Sequence, residues 1–180
     1  VLEYAQRGEH PILKESNISD FCIISKADNP KIINYTPQDE IYNNLNFGYD
    51  LNGGTIAENI NDIDHVLIAG ETGSGKTVLL NTLLSQIYAR TNDKVLCIDM
   101  KGNLPRAKTD LNTIIEKLTT VKNIMYKRLQ NKSEPAYHIW IIVDELAELM
   151  LSEHKKEIES LLQSIAQMGR QARIHLILAT

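Results

Sequence analysis

From residue 65 onward the chain alternates short apolar runs with stretches of helical period. His65-Val66-Leu67-Ile68-Ala69 predicts a buried strand at 66–69, and the apolar positions Val78, Leu79, Leu80, Leu83, Leu84, Ile87 and Tyr88 predict a helix over about 76–90. Asn92-Asp93 reads as a turn, and 95–100 as a second strand, nearly all apolar as a strand covered on both faces should be. Residues 109–130 carry Leu111, Ile114, Ile115, Leu118, Val121, Ile124, Met125 and Leu129 at helical spacing. Asp110 near the start of that helix and Lys127-Arg128 near its end suit the helix dipole. Pro135 breaks the chain before a third apolar strand, Ile139-Trp140-Ile141-Ile142-Val143, which ends in Asp144-Glu145. A helix follows, then another at about 154–168 with Ile158, Leu161, Leu162 and Ile165 on one face and Gly169 expected as its cap. A last strand runs over 174–179. Strands alternating with helices predict an α/β fold, helices packed around a mainly parallel sheet.

The earlier residues follow a different pattern. Tyr49-Asp50-Leu51 and Thr55-Ile56-Ala57 flank Asn52-Gly53-Gly54, which predicts a β-hairpin because Asn-Gly supplies the positive φ angles of a tight turn. Residues 21–25 and 32–35 have strand-like composition with Asp28-Asn29-Pro30 between them. The expected organisation is a small β-containing lead-in over 1–47 and a core over 48–180. There is no internal repeat and no low-complexity tract.

One loop changes the picture from fold to chemistry. Gly70-Glu71-Thr72-Gly73-Ser74-Gly75-Lys76-Thr77 has the spacing G-x-x-x-x-G-K-[ST], directly after a predicted strand and before a predicted helix. Successive N–H groups of such a turn make an anion-binding nest, and the following helix presents its positive end to the same place. The expected ATP-binding set is Gly70, Glu71, Thr72, Gly73, Ser74, Gly75, Lys76, Thr77 and Val78, with Lys76 neutralising the β/γ oxygens and Thr77 binding Mg²⁺ through its hydroxyl. Asp144, at the end of an apolar strand, is the expected second holder of the Mg²⁺ shell. The adjacent Glu145 is the expected base for the attacking water. The competing reading of this Asp-Glu pair is a helix whose first turn favours acids.

Composition sets bounds. At 180 residues with 43% hydrophobic and 23% charged residues, one sizeable soluble core is expected. No run is long and apolar enough to cross a membrane. The two cysteines, Cys22 and Cys97, lie in apolar runs without metal-ligand spacing, so buried free thiols in a reducing compartment are expected. The five histidines form no ligand cluster in sequence. A net charge of −4 argues against a broad basic surface but leaves room for DNA held in a narrow channel. Because the chain opens on Val1 rather than Met, it is expected to be a piece of a longer protein, with any membrane anchor outside it.

Several blocks then carry a resemblance. Asp64-His65-Val66-Leu67-Ile68-Ala69-Gly70 to Leu80-Asn81-Thr82-Leu83, Ile98-Asp99-Met100-Lys101-Gly102, Val143-Asp144-Glu145-Leu146-Ala147-Glu148-Leu149-Met150, and Ala166-Gln167-Met168-Gly169-Arg170 to Ile174-His175-Leu176-Ile177-Leu178-Ala179-Thr180 resemble, in consistent order, the motor domain of the FtsK/SpoIIIE family of DNA translocases. The resemblance implies a RecA-like P-loop NTPase core, ATP and Mg²⁺ as cofactors, a hexameric ring, and sequence-independent pulling of double-stranded DNA. It implies a cytoplasmic domain, in members that carry an anchor elsewhere. It makes Arg170 the first candidate, and Arg173 the second, for an arginine lent to a neighbouring subunit's γ-phosphate; the plainer reading is a solvated arginine at a helix end. Lys101, Arg106 and Lys108 become candidates to face DNA, while Lys117, Lys122, Lys127 and Arg128 fit the wet face of their helix. The segment between Gly102 and Asp110 is shorter than the family pattern, and the chain ends at Thr180 where the family continues with a γ-phosphate-sensing Gln, so weak activity of the isolated piece is expected. Two alternatives stand beside this one: an ATPase domain of type VII protein secretion, and a nucleotide-binding assembly module without turnover.

Overall fold

The computed structural model describes residues 43–50, 54–90, 92–131 and 135–180. The chain divides into two compact units, 1–36 and 37–180, and every described residue belongs to the second. The strand-like runs at 21–25 and 32–35, Cys22, and most of the expected lead-in therefore lie outside the described residues.

Two antiparallel strands come first, β1 (Asn44–Tyr49) and β2 (Thr55–Asn59). They form the hairpin that Asn-Gly-Gly predicted, although the turn residues 51–53 themselves are not described. Then follow β3 (His65–Ile68), α1 (Lys76–Ala89), β4 (Lys94–Asp99), α2 (Leu111–Gln130), β5 (Ile139–Asp144), the short α3 (Leu146–Leu149), α4 (Lys155–Met168), a 3-10 turn (Arg170–Ala172) and β6 (Ile174–Ala179). Strands β3 to β6 make one parallel sheet in the order β3-β6-β5-β4. The chain thus leaves β3 for the far edge at β4 and returns strand by strand. Beyond the carboxyl ends of such strands, where the order reverses, α/β sheets bind their ligands.

Strand alternation divides the core between two faces. Leu96, Ile98, Ile139, Ile141, Val143, Ile174 and Leu176 pack under α2 and α4 through Ile114, Leu118, Met125, Ile158, Leu162 and Ile165. Cys97, Trp140, Ile142, Ile177 and Ala179 face the other way, onto Leu80, Leu83, Leu84 and Ile87 of α1 and onto Leu45 of the hairpin. The hairpin is tied to α1 by polar contacts as well. Gln86 is buried, accepts from Asn46 N at 2.8 Å and donates to Asn46 O at 2.8 Å, so one side chain caps an open strand edge in both directions. Asp110 caps α2 by accepting from Thr113 N at 2.8 Å, and that backbone N–H holds its carboxyl below the usual range. Cys97 is buried and free, as expected, and burial pushes its thiol up.

Gly169 is the cap of α4, its N–H donating to Ile165 O at 2.7 Å, but not a left-handed one: its φ is −62°, and Arg173, at φ 52°, takes the left-handed position after the 3-10 turn. A Cβ on Gly169 would stand 2.5 Å from Ile174 O and 2.6 Å from Ile165 O. The glycine is there for space, where α4 turns back into β6.

At the amino ends of the parallel strands lies a buried polar cluster. Trp140 and His175 are register partners and stack at 4.3 Å, with His138 5.0 Å from His175. His175 Nδ1 lies 3.3 Å from the Asp64 carbonyl, which can only accept, so Nδ1 carries the proton and Nε2 accepts from His138 Nδ1 at 2.8 Å. Asp93 receives the Trp140 indole N–H and the His138 backbone N–H, each at 3.0 Å. His65, at the start of β3, donates to Ala166 O and accepts from Leu176 N. Burial lowers the pKa of all three histidines, that of His175 to about 4.

Candidate active site

The loop 70–75 lies between β3 and α1, beyond the carboxyl end of β3. Gly73 and Gly75 have φ of 81° and 99°, where a side chain would be strained, and these two residues turn the backbone in front of the helix. Helix α1 starts at Lys76 with Gly75 in the N-cap position, no side-chain cap and no acid in the first turn. Its amino end therefore offers uncompensated N–H groups and positive potential to an anion. Lys76 bends back across the loop and donates to Gly70 O at 2.6 Å and Glu71 O at 3.2 Å. The loop's base is pinned to the neighbouring strand: Thr180 N donates to Ile68 O at 2.9 Å and Gly70 N to Thr180 O at 3.2 Å.

Thr77 and Asp144 are 67 residues apart and meet. The Thr77 hydroxyl donates to Asp144 Oδ2 at 3.0 Å. Strand β5 delivers Asp144 at its carboxyl end, two strands from the loop-bearing β3, with β6 between them. Two hard oxygen donors so placed fit Mg²⁺, which takes few protein ligands and completes its shell with phosphate oxygens and water. Among the described residues no group of three or more His, Cys, Asp or Glu could hold a metal ion.

Glu145 follows Asp144 in a left-handed conformation, φ 58° and ψ 56°, that turns the chain out of the sheet into α3. Its carboxylate is 3.2 Å from the Lys101 ammonium, with Glu148 3.6 Å from the same nitrogen. Glu145, with Glu148 behind it, raises the Lys101 ammonium above the usual lysine range.

Sequence reasoning assigned no role to Asp99, and the geometry does. Asp99 is the register partner of Asp144 and is buried. Its Oδ1 accepts from Lys101 N at 2.9 Å, and its Oδ2 from Leu104 N at 2.9 Å and from Asn103 N. One carboxylate thus folds the segment after β4 into a tight loop, closed by Lys108 N to Cys97 O at 2.8 Å. A turn-forming Asp followed by Gly102 was the available signal.

The remaining expected residues fall elsewhere. Val78 turns its side chain to solvent, 70% exposed. Arg170 lies at the opposite end of the sheet from the loop of its own chain. It makes a two-pronged pair with Asp64, Nε to Oδ1 at 2.8 Å and Nη1 to Oδ2 at 3.1 Å. Arg173 is turned inward and donates to Pro135 O at 2.8 Å. Arg106 lies over the Tyr88 ring, 5.4 Å from its centroid, and Tyr88 is pushed up to about 12, chiefly by burial.

Comparison with known proteins places this geometry. The chain is 33% identical over 175 aligned residues to DNA translocase FtsK of Staphylococcus epidermidis, a match covering 76% of this chain and 22% of that protein. It is 34% identical over 167 to DNA translocase FtsK of Clostridium acetobutylicum, covering 74% and 22%. The chain thus spans about a fifth of the length of these curated relatives.

Among solved structures, the pCW3 conjugation coupling protein TcpA, in its monomer form with ATPγS, superposes with a TM-score of 0.67 at 24% identity, covering 83% of this chain and 52% of that one. Thermomonospora curvata EccC (ATPases 2 and 3) superposes with a TM-score of 0.63 at 18% identity, covering 78% and 29%. Both likenesses establish the RecA-like P-loop fold. The sequence pattern of the FtsK/SpoIIIE family matches residues 34–126 and 103–180. With the phosphate loop, the strand-end carboxylate and these matches in one order along the chain, the protein belongs to the FtsK/SpoIIIE family.

Proposed function

We propose that this chain is the ATP-hydrolysing motor core of a protein that moves double-stranded DNA without regard to sequence, working as a hexameric ring. The observation that carries the ATPase reading is the meeting of Thr77 with Asp144 beside an uncapped helix end. The phosphate-loop N–H groups and Lys76 bind and orient the β- and γ-phosphates. Mg²⁺, when bound, screens the charge of the phosphate oxygens; Thr77 and Asp144 are the residues that would hold it. Glu145 takes a proton from water as the water oxygen bonds to the γ-phosphorus and the bond to the β–γ bridging oxygen breaks, leaving ADP and phosphate. Arg170, remote from its own loop, is assigned to the γ-phosphate of the next subunit. The DNA assignment rests on relatives named DNA translocases at 33% and 34% identity. We assign the domain to the cytoplasm; among the described residues no helix is long and apolar enough to cross a membrane.

The second reading, a domain that moves polypeptide in type VII secretion, is favoured by the likeness to EccC. DNA dependence separates the two: ATP turnover of the full-length protein rises with duplex DNA in the first and is indifferent to it in the second. Glu145→Gln in the full-length protein is expected to keep ATP binding and to lose turnover by about 10²- to 10³-fold. Wild-type-like turnover in that variant would remove Glu145 as the base. Absence of turnover in the wild type, under all conditions, would leave the assembly-module reading.

A further inference from the structure

Glu145 is not free to act where it stands. One of its carboxylate oxygens is 3.2 Å from the Lys101 ammonium, and a base must come within hydrogen-bond reach of the water it deprotonates. The partner is specifically placed. Lys101 belongs to the loop that buried Asp99 folds, its own N–H donating to Asp99 Oδ1 at 2.9 Å, and Asp99 lies beside Asp144 on the adjoining strand. The backbone of Lys101 is therefore fixed relative to the site, while its side chain is 52% exposed. An ammonium on a flexible stem is a point charge that can exchange one anionic partner for another. The same loop carries two more cations, Arg106 and Lys108.

We propose that Lys101 is a positioning residue that restrains Glu145, and that a phosphate of bound duplex DNA competes for its ammonium and releases the carboxylate for catalysis. The inference rests on the reading of Glu145 as base and DNA as partner. It supplies what that reading lacks, a physical link from DNA contact to ATP turnover. Two carboxylates, Glu145 and Glu148, share one lysine, so when the lysine leaves, the freed Glu145 is also repelled by Glu148. An exposed pair is weak enough for this exchange: its usual strength corresponds to a few-fold change in occupancy. A polyanion with one charge per about 1.7 Å of duplex axis outcompetes it readily.

The test uses the full-length protein, with phosphate release measured with and without linear duplex DNA. Lys101→Ala is expected to raise DNA-free turnover about two- to fivefold and to reduce the ratio of stimulated to basal rate by a similar factor, with KM for ATP unchanged. Lys101→Arg, which keeps a cation, is expected to hold the basal rate near wild type. Lys101→Met keeps the apolar stem and is expected to behave like Lys101→Ala if charge is the agent. Basal turnover that stays unchanged or falls in both neutral variants overturns the proposal, as does a Lys101→Arg that matches them. The parent reading fails separately, if DNA does not stimulate the wild type or if Glu145→Gln still turns over. When both of those hold and the neutral variants leave the basal rate alone, only the role of Lys101 is lost.

Discussion

The two ends of the parallel sheet handle polar groups in opposite ways. At the carboxyl end, Asp144 meets one hydroxyl, the first turn of α1 has no side-chain cap, and Glu145 is held by an exposed lysine. At the amino end, Asp93, His138, Trp140, His175 and the Asp64 carbonyl are joined in one chain of hydrogen bonds around the buried rings of His138, Trp140 and His175. Both ends are built from residues that flank the same four strands. The difference teaches that polarity alone does not mark a site. What marks it is polar capacity left over for a ligand, as at the uncapped amino end of α1. Substitutions in the cluster around Trp140 and His175 should cost stability and spare chemistry, whereas Glu145→Gln should do the reverse.

The largest such effect is expected at Trp140. Its ring is fully buried, stacks on His175 and anchors Asp93. Trp140→Ala is expected to destabilise the domain by about 3–5 kcal/mol, through the cavity and the stranded carboxylate. Denaturant unfolding measures it. ATP binding by the fraction that remains folded should match wild type. A loss of binding in excess of the unfolded fraction would mean that the two ends are not independent.

Next in size is the response to acid. Burial lowers the pKa of His175 to about 4, from an ordinary value of 6.5, and lowers those of His138 and His65 in the same direction. Below pH 6.5 the unfolded chain binds protons that the folded one refuses. Stability is therefore full above about pH 6.5 and is lost as pH falls towards 4, where His175 charges in the folded state too. For His175 alone the loss is on the order of 3 kcal/mol. Protonating its Nε2 would also remove the acceptor for His138 Nδ1 and set a charge beside His138 and His65, with backbone hydrogen bonds to Asp64 and Ile63 offsetting part of the cost. His175→Gln should flatten the decline of the thermal midpoint between pH 6.5 and 4; an unchanged slope would assign the acid sensitivity elsewhere.

This contrast was only half legible in the sequence. The strands and helices were, because buried parallel strands are near-continuous apolar runs and α2 and α4 keep a strict helical period. The place of the glycine-rich loop between β3 and α1 was, because its residues are contiguous, and the place of Asp144-Glu145 at the end of β5 was, because an acidic pair ends an apolar strand. What depends on register was not. Trp140 and His175 read as one apolar and one polar residue in separate strands, and only their pairing across β5 and β6 makes them a stack. The contact of Lys101 with Glu145 was not legible, because nothing local brings together two residues 44 positions apart. Gly169 read as a cap and is one, but the reason for the glycine was not legible: two carbonyl oxygens leave no room for a Cβ, and no left-handed turn is made there. Arg170 has its partner Asp64 106 positions earlier, a pairing set by the return of α4 beside β3.

The smallest effect on stability, and the sharpest test of the contrast, is expected at that last pair. Arg170 and Asp64 are both well exposed, with side-chain accessibilities of 61% and 48%. An ion pair in that setting contributes at most about 1 kcal/mol. Asp64→Asn should therefore shift the thermal midpoint by a few degrees at most. It should leave turnover intact, because the Arg170 guanidinium remains. Arg170→Ala should cost as little stability, but if Arg170 serves a neighbour's γ-phosphate it should abolish turnover in the assembled full-length protein. In mixtures of Arg170→Ala with wild type, activity should then fall faster than the fraction of mutant subunits. A strictly proportional fall would argue against an arginine lent to a neighbour, and wild-type-like turnover of Arg170→Ala would make the pair purely structural. The amino end of the sheet would then have no part in chemistry, even through a second subunit.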